Sequence, residues 1–350
     1  MTTSWNRKDQ HIHYAQMQYD TPRFNGFEGM RFIHQSLSQT KVSDISLNTS
    51  IADLNLDTPF FINAMTGGSD KAKVINENLA YVAKETKLAM ALGSISIALT
   101  QPDLQNSFRI VRKVNPDGII FANLGAHHSL DNAKKVVDLV EANALQLHLN
   151  TPQELVMPEG DRDFTMWLKN IEHITTNLDV PVIVKEVGFG MAKETMTKLT
   201  EVGVSIIDVA GRGGTNFIQI ENERREEKEY NYLMDWGQTT VESLLEAQPF
   251  LYNTTIISSG GIKTPLDMLK SFGLGASAVG ISGEFLNLIL TKGNAATIQQ
   301  VQQWKEELTF LMTMIGAKQI SDIKDKPFIL NQELTHWCQE RNIPIHKKRG

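Results

Sequence analysis

Residues 255–281, TIISSGGIKTPLDMLKSFGLGASAVGI, contain two short β-branched runs, 255–259 and 277–281, on either side of an amphipathic segment at 265–272. A strand, a helix-length crossover and a second strand form the unit that joins parallel strands, because a parallel connection needs about a dozen residues or more. The same alternation recurs N-terminal to it. Apolar runs stand at 59–64 (PFFINA), 88–92 (LAMAL), 118–122 (GIIFA), 145–149 (LQLHL), 182–186 (VIVKE) and 205–209 (SIIDV). Between them lie amphipathic stretches such as 73–86, 133–142, 192–202 and 239–247. Eight strands with eight crossovers predict an α/β fold of the (β/α)₈ TIM-barrel type. An open doubly wound sheet is the alternative. A dinucleotide-binding version would carry G-x-G-x-x-G after its first strand, where this chain reads Ala64-Met65-Thr66-Gly67-Gly68.

A minimal barrel uses about 250 residues, so the 350-residue chain has about 100 to spare. We expect one barrel domain over 1–350: a core at about 59–285, an N-terminal extension at 1–58 and a C-terminal helical tail at 286–350. The tail includes the amphipathic stretch 298–315 and the basic finish HKKRG. Residues 221–230, ENERREEKEY, are too polar for a core and predict a solvated loop or lid.

Composition narrows the setting. A single cysteine, Cys338, permits no internal disulfide, and the first fourteen residues are polar and charged; a cytoplasmic protein is expected. The longest apolar run, 88–99, is interrupted by Gly93, Ser94 and Ser96 and falls short of the roughly 18 residues of a membrane span. With 34 Lys and Arg against 40 Asp and Glu, the net charge of −6 argues against a broad nucleic-acid surface and leaves room only for a local anion pocket.

In such a barrel the residues that follow each strand build the active site. Small and polar residues crowd these positions: Gly93-Ser94, Asn123-Leu124-Gly125, residues 210–216 (AGRGGTN), Ser259-Gly260-Gly261 and Gly280-Ile281-Ser282. Glycines there let backbone approach a flat ligand, and the loops after strands seven and eight predict a phosphate cradle. Lys185, inside the apolar VIVKEV, needs an anionic partner or a desolvated role. A Schiff base, a structural pair with Glu186 and a contact to the electron-rich edge of a reduced flavin all remain open. His148 and Glu154 lack zinc-ligand spacing, whereas a carboxylate beside Gln153 suits Mg²⁺ completed by phosphate oxygens and water. His148 as a hydrogen-bonded barrel histidine is the simpler alternative. Arg7 and Lys8 are either solvated or folded over the mouth to clamp an anion.

Taken together, NRKDQHI, INAMTGGS, LQLHLNTPQELVMPEGDRDF, VIVKEVGFGM, VAGRGGTNFIQIENER and the 258–280 segment resemble type II isopentenyl diphosphate isomerase, the FMN-dependent form, in order from about Arg7 to Ile281. The resemblance implies conversion of isopentenyl diphosphate to dimethylallyl diphosphate by a 1,3-proton shift. It also implies FMN, reduced in the active form, together with Mg²⁺, NADPH as reductant and a homotetramer. Met65, Thr66, Gly67, Ser94, Asn123, Lys185, Thr215, Gly260, Gly261, Gly280 and Ile281 would line FMN. Arg7, Lys8, His148, Asn150 and Gln153 would face substrate, and Glu154 would hold Mg²⁺. Gln153, His148 and Lys185 are the catalytic candidates, with Glu221 supporting Gln153. Two positions depart from the pattern. Ile95-Ser96 stands where many members have Gln-Arg, which gives Arg7 and Lys8 more weight, and Ala210 replaces a serine. An FMN oxidoreductase of the hydroxy-acid oxidase type is the alternative; it would want a histidine base and an arginine pair late in the barrel, where Arg212 stands alone. A non-catalytic flavin-binding protein would have no use for Gln153-Glu154 or Arg7-Lys8.

Overall fold

A computed structural model describes residues 7–64 and 66–344. Asn6, Met65 and the basic finish at 346–350 lie outside the described residues. Eight parallel strands close into a barrel: β1 (Phe60–Ile62), β2 (Met90–Ala91), β3 (Ile120–Gly125), β4 (Ala144–His148), β5 (Val182–Lys185), β6 (Ile206–Asp208), β7 (Thr255–Ser259) and β8 (Ala278–Ile281). Each strand pairs with its sequence neighbour, and β8 returns to β1. All eight expected strands are present.

Their ends correct the sequence reading at one point. Strand β3 runs to Gly125, so Asn123, expected in the loop, lies inside the barrel wall opposite Gln146.

Helices start where their sequences supply caps. Thr264 and Asp267 form a reciprocal capping box with Pro265 in the first turn of Pro265–Gly273, and Ser69 Oγ accepts from Ala72 N at 3.0 Å to begin Asp70–Thr86. The inner face of the barrel holds an apolar cluster of Phe61, Phe121, Ile183, Ile206 and Ile257, and the hairpin Thr49–Ile51/Leu54–Leu56 adds Ile51 and Leu56 to it. That hairpin plugs the N-terminal end, and Thr49 Oγ1 donates to Ser277 O just before β8 at 2.7 Å.

The extensions are less simple than a polar lead-in and a helical tail. The tail helix Gly293–Met314 buries Trp304 edge-on to Phe60 and Phe285, with ring centroids 6.1 and 5.6 Å away. Beyond it, Phe328–Leu330 pairs antiparallel with Met30–Phe32 of the lead-in. The two ends of the described chain are thus stitched to each other as well as to the barrel.

Candidate active site

Side chains on a strand alternate between faces, so a residue two positions after an inward apolar one also points inward. This carries six of the eight strands from an apolar floor to a polar upper layer: Phe61 to Asn63, Phe121 to Asn123, Ala144 to Gln146, Ile183 to Lys185, Ile206 to Asp208 and Ile257 to Ser259. Buried polar groups are costly unless paired, and these are paired in series. Ser259 Oγ donates to Asp208 Oδ1 (2.6 Å) and Asn63 Nδ2 to Asp208 Oδ2 (3.0 Å). Gln146 Nε2 donates to Asn63 Oδ1 (2.9 Å) and Asn123 Nδ2 to Gln146 Oε1 (3.0 Å). Asn123 Oδ1 then meets His148 Nδ1 at 2.9 Å.

Lys185 lies in register between His148 and Asp208. Its buried Nζ donates to Glu186 O at 2.6 Å. Burial pushes its pKa down, against the opposing pull of Asp208 and Glu186. The Glu186 carboxylate is engaged elsewhere, accepting from the N–H groups of Val187, Gly188 and Phe189, so the structure does not show a direct Lys185–Glu186 side-chain pair. Burial, followed by the positive charges of Lys185 and Lys8 and the imidazoles of His127 and His128, holds His148 well below the usual histidine range.

After β4 the short helix Thr151–Val156 and its N-cap Asn150 bring three functional candidates together. Asn150 Nδ2 donates to Glu154 Oε1 (2.7 Å) and to Gln153 Oε1 (3.3 Å). Buried Gln153 in turn donates Nε2 to Glu221 Oε1 at 3.0 Å. Here the expectation of a solvated 221–230 segment fails in its first two residues. Glu221 and Asn222 have no exposed surface and belong to the helix Phe217–Glu223, which Asn216 caps by accepting from Gln219 N. Burial works to raise the Glu221 pKa, but His11, Gln153 and Arg224 outweigh it and hold it down to about 2.

The N-terminal helix Arg7–Met17 folds across the mouth, where its polar residues find partners on several loops. Ser69 Oγ donates to Asp9 Oδ1 (2.7 Å), Arg224 Nε to Gln10 Oε1 (3.0 Å), and His11 Nε2 lies 3.0 Å from Glu221 Oε1. Beyond the helix, Tyr19 Oη donates to Glu284 Oε2 (2.6 Å) and Asn25 Nδ2 to Gly261 O (2.8 Å). Burial first, then Arg7, lowers Lys8 to about 8 against the opposing charges of Glu221 and Glu154.

All this encloses a cavity of about 420 Å³. Arg7, Lys8, Thr66, Ser94, Asn123, His148, Asn150, Gln153, Glu154, Lys185, Thr215, Gly260, Gly261, Gly280 and Ile281 border it. Gly67 does not; its α-carbon faces Phe108, whose ring an added β-carbon would meet at 1.9 Å. Ser96 stands where a cation was missing and bonds Ser94 Oγ (2.8 Å) and His128 Nε2 (3.0 Å). Sequence reasoning did not assign a role to Asn63, Gln146, Asp208 or His11.

The cavity suits a flavin phosphate on one side. Gly260 has φ +99°, and a β-carbon there would stand 2.0 Å from Gly211 O, so only glycine lets the loops after β6 and β7 meet backbone to backbone. Thr66 Oγ1 is buried at the wall without a partner among the described residues, which leaves a hydroxyl for a ligand. On the other side Glu154 offers one half-buried carboxylate, whose Oε2 accepts from Asp161 N at 2.9 Å. One carboxylate fits Mg²⁺ that draws its remaining ligands from phosphate and water.

Comparison with known proteins bears on the fold and the family. The FMN-dependent dehydrogenase family matches residues 100–330. Among solved structures, a flavocytochrome b2 mutant with pyruvate bound superposes with a TM-score of 0.68 at 19% identity, covering 95% of this chain and 84% of that one. A mandelate oxidase gives 0.64 at 16%, covering 92% and 90%. These share the barrel fold. Much nearer in sequence are the isopentenyl-diphosphate delta-isomerases of Latilactobacillus sakei subsp. sakei (strain 23K), 49% identical over 97% of both chains, and Staphylococcus haemolyticus (strain JCSC1435), 48% identical over 97% of both. With near half of its residues shared across almost its whole length, the chain belongs to the isopentenyl-diphosphate delta-isomerase family.

Proposed function

We propose that the protein converts isopentenyl diphosphate to dimethylallyl diphosphate, with FMN and Mg²⁺ in the cavity and NADPH serving only to keep the flavin reduced. The reaction moves one proton: the terminal alkene carbon gains it, the carbon next to the oxygen-bearing methylene loses another, and no net redox change occurs. Reduced FMN, when bound, supplies the acid–base centre for this exchange. The chain's own residues bind, orient and exclude water. Lys185, Asn123, Thr66, Ser94 and Thr215 would hold the ring system, and the glycine loops after β6, β7 and β8 would receive the FMN phosphate. Arg7 and Lys8 on the N-terminal helix and His148 and Asn150 at the end of β4 all border the cavity and would face the substrate diphosphate. Glu154 would hold Mg²⁺, which would supply positive charge to the diphosphate. Diphosphate binding energy, spent away from the reacting carbons, fixes the alkene in place.

The observation that carries this reading is the position of Gln153. It is buried and tied to Glu221, one residue from the Mg²⁺ candidate and under the Arg7–Met17 helix. A hydroxy-acid oxidase reading finds no such support: Arg212 donates to Asp235 O and pairs with its carboxylate instead of bordering the cavity. We further propose one barrel domain acting in the cytoplasm as a homotetramer. The test is an anaerobic incubation with FMN, Mg²⁺, NADPH and isopentenyl diphosphate. Dimethylallyl diphosphate formed without stoichiometric NADPH consumption is the expected result; reduced flavin with no product would overturn the assignment.

A further inference from the structure

The buried chain from Asp208 to His148 has a direction, and the backbone fixes it. Ala64 N, which can only donate, bonds Asn63 Oδ1 at 2.8 Å, and so identifies which end of the Asn63 amide is oxygen. Asp208 agrees from the other side. Its Oδ1 accepts from Ser259 Oγ and from Ala210 N (3.2 Å), which leaves Oδ2 to accept from Asn63 Nδ2. With Asn63 set, Gln146 must turn its NH₂ toward Asn63 Oδ1 and its oxygen toward Asn123. Asn123 must then donate to Gln146 and present Oδ1 to His148. An oxygen facing Nδ1 at 2.9 Å requires that nitrogen to carry the hydrogen.

We propose that the relay Asp208–Asn63–Gln146–Asn123 fixes His148 as its Nδ1–H tautomer. Nε2 is then the proton-accepting nitrogen, and it takes a proton from solvent when a phosphate anion enters the cavity. Nε2 lies farther along, on the Gly125 side, where an added β-carbon on Gly125 would stand 3.4 Å from it; His148 borders the cavity. In the unliganded protein the groups facing the imidazole are Lys185 from β5, Lys8 from the N-terminal helix, and His127 and His128 from the loop after β3, all of which oppose a second proton. A bound anion offsets the charges of Lys185 and Lys8. The new Nε2–H bond then donates to a phosphate oxygen, and His148 leaves the neutral state in which it waits. Asn63, Gln146 and Asp208 are positioning residues, since they act on the ligand only through Asn123 and His148. The tautomer stands without reference to any reaction; the proton uptake rests on the diphosphate reading above.

The experiment is ¹⁵N NMR of histidine-labelled full-length protein, with the His148 signals identified by their loss in His148→Asn. Unliganded protein near neutral pH should show His148 protonated at Nδ1 and bare at Nε2. Saturation with inorganic pyrophosphate and Mg²⁺ should protonate both nitrogens. Gln146→Met, which cuts the relay, should give a mixture of tautomers. Gln146→Glu should restore the single form, because a neutral Glu carboxyl donates to Asn63 and accepts from Asn123 as the amide does. A wild-type signal protonated at Nε2 alone overturns the relay, even if neither variant folds. An Nδ1–H signal unchanged by saturating pyrophosphate overturns the proton uptake. Failure of the isomerase assay with these spectra as expected would instead remove only the assigned reaction.

Discussion

Gln153 Nε2 donates to Glu221 Oε1 at 3.0 Å across 68 positions of sequence. The bond joins the helix after β4 to the helix after β6 over the cavity. It also fixes the Gln153 amide: with its NH₂ committed to Glu221, its oxygen is left to Asn150. The same Glu221 carboxylate faces His11 of the N-terminal helix and Arg224, so one buried charge holds the roof and the wall together.

Replacing Glu221 with glutamine should therefore slow turnover without discharging the flavin. Hydrogen bonds to charged groups contribute about 1.5–3 kcal/mol, which corresponds to a loss of roughly 10- to 100-fold in kcat/KM. Steady-state kinetics together with the flavin-to-protein ratio check this; full activity in Glu221→Gln would show that Gln153 needs no anchor.

Acid should reveal the same carboxylate in the wild type. Its folded pKa of about 2 lies below the ordinary value of 4.5. The contribution is thus present above about pH 4.5 and lost as pH falls toward 2. At about 1.4 kcal/mol per unit, roughly 3 to 4 kcal/mol is at stake. Urea unfolding at pH 6, 4 and 3 should show a steeper decline for wild type than for Glu221→Gln; parallel curves would contradict the buried pairing.

Glu154→Gln should abolish Mg²⁺-dependent turnover while the protein stays yellow. Titrating Mg²⁺ in both proteins tests this, and a variant that keeps full activity at low Mg²⁺ would remove Glu154 from the metal site.

Lys185→Met keeps most of the side-chain volume and deletes the charge. We expect weaker flavin retention, by tenfold or more, read as the fraction of FMN left after gel filtration with the fold checked by circular dichroism. A yellow, fully active variant would take Lys185 out of the site.

Much of the barrel is legible before any coordinates. All eight strands follow from short apolar or β-branched runs separated by helix-length segments, and Thr264-Pro265 announces its helix through a cap and a proline. The polar upper layer is harder to see. Asn63, Gln146 and Asp208 each appear as one polar residue in an apolar run, the same signal that drew attention to Lys185. Only the stagger of neighbouring strands aligns them into one chain, and a single strand does not encode that stagger. Glu221 is hidden for another reason. The charges that follow it through residue 229 make the segment look solvated, although Ile218, Glu221 and Asn222 share a helical face at i, i+3 and i+4. Arg7 and Lys8 left two readings open because nothing local says whether a polar helix will cross a cavity; Ser69, Arg224 and Glu221 supply the answer from far away in sequence.

The hairpin at 49–56 has a consequence for traffic. With Ile51 and Leu56 packed into the floor, the described residues close the barrel below and leave the cavity at the other end, beneath the lintel formed by the Arg7–Met17 helix. A ligand that enters on that side leaves by the same side, so product has to clear the space under the helix before the next substrate settles there.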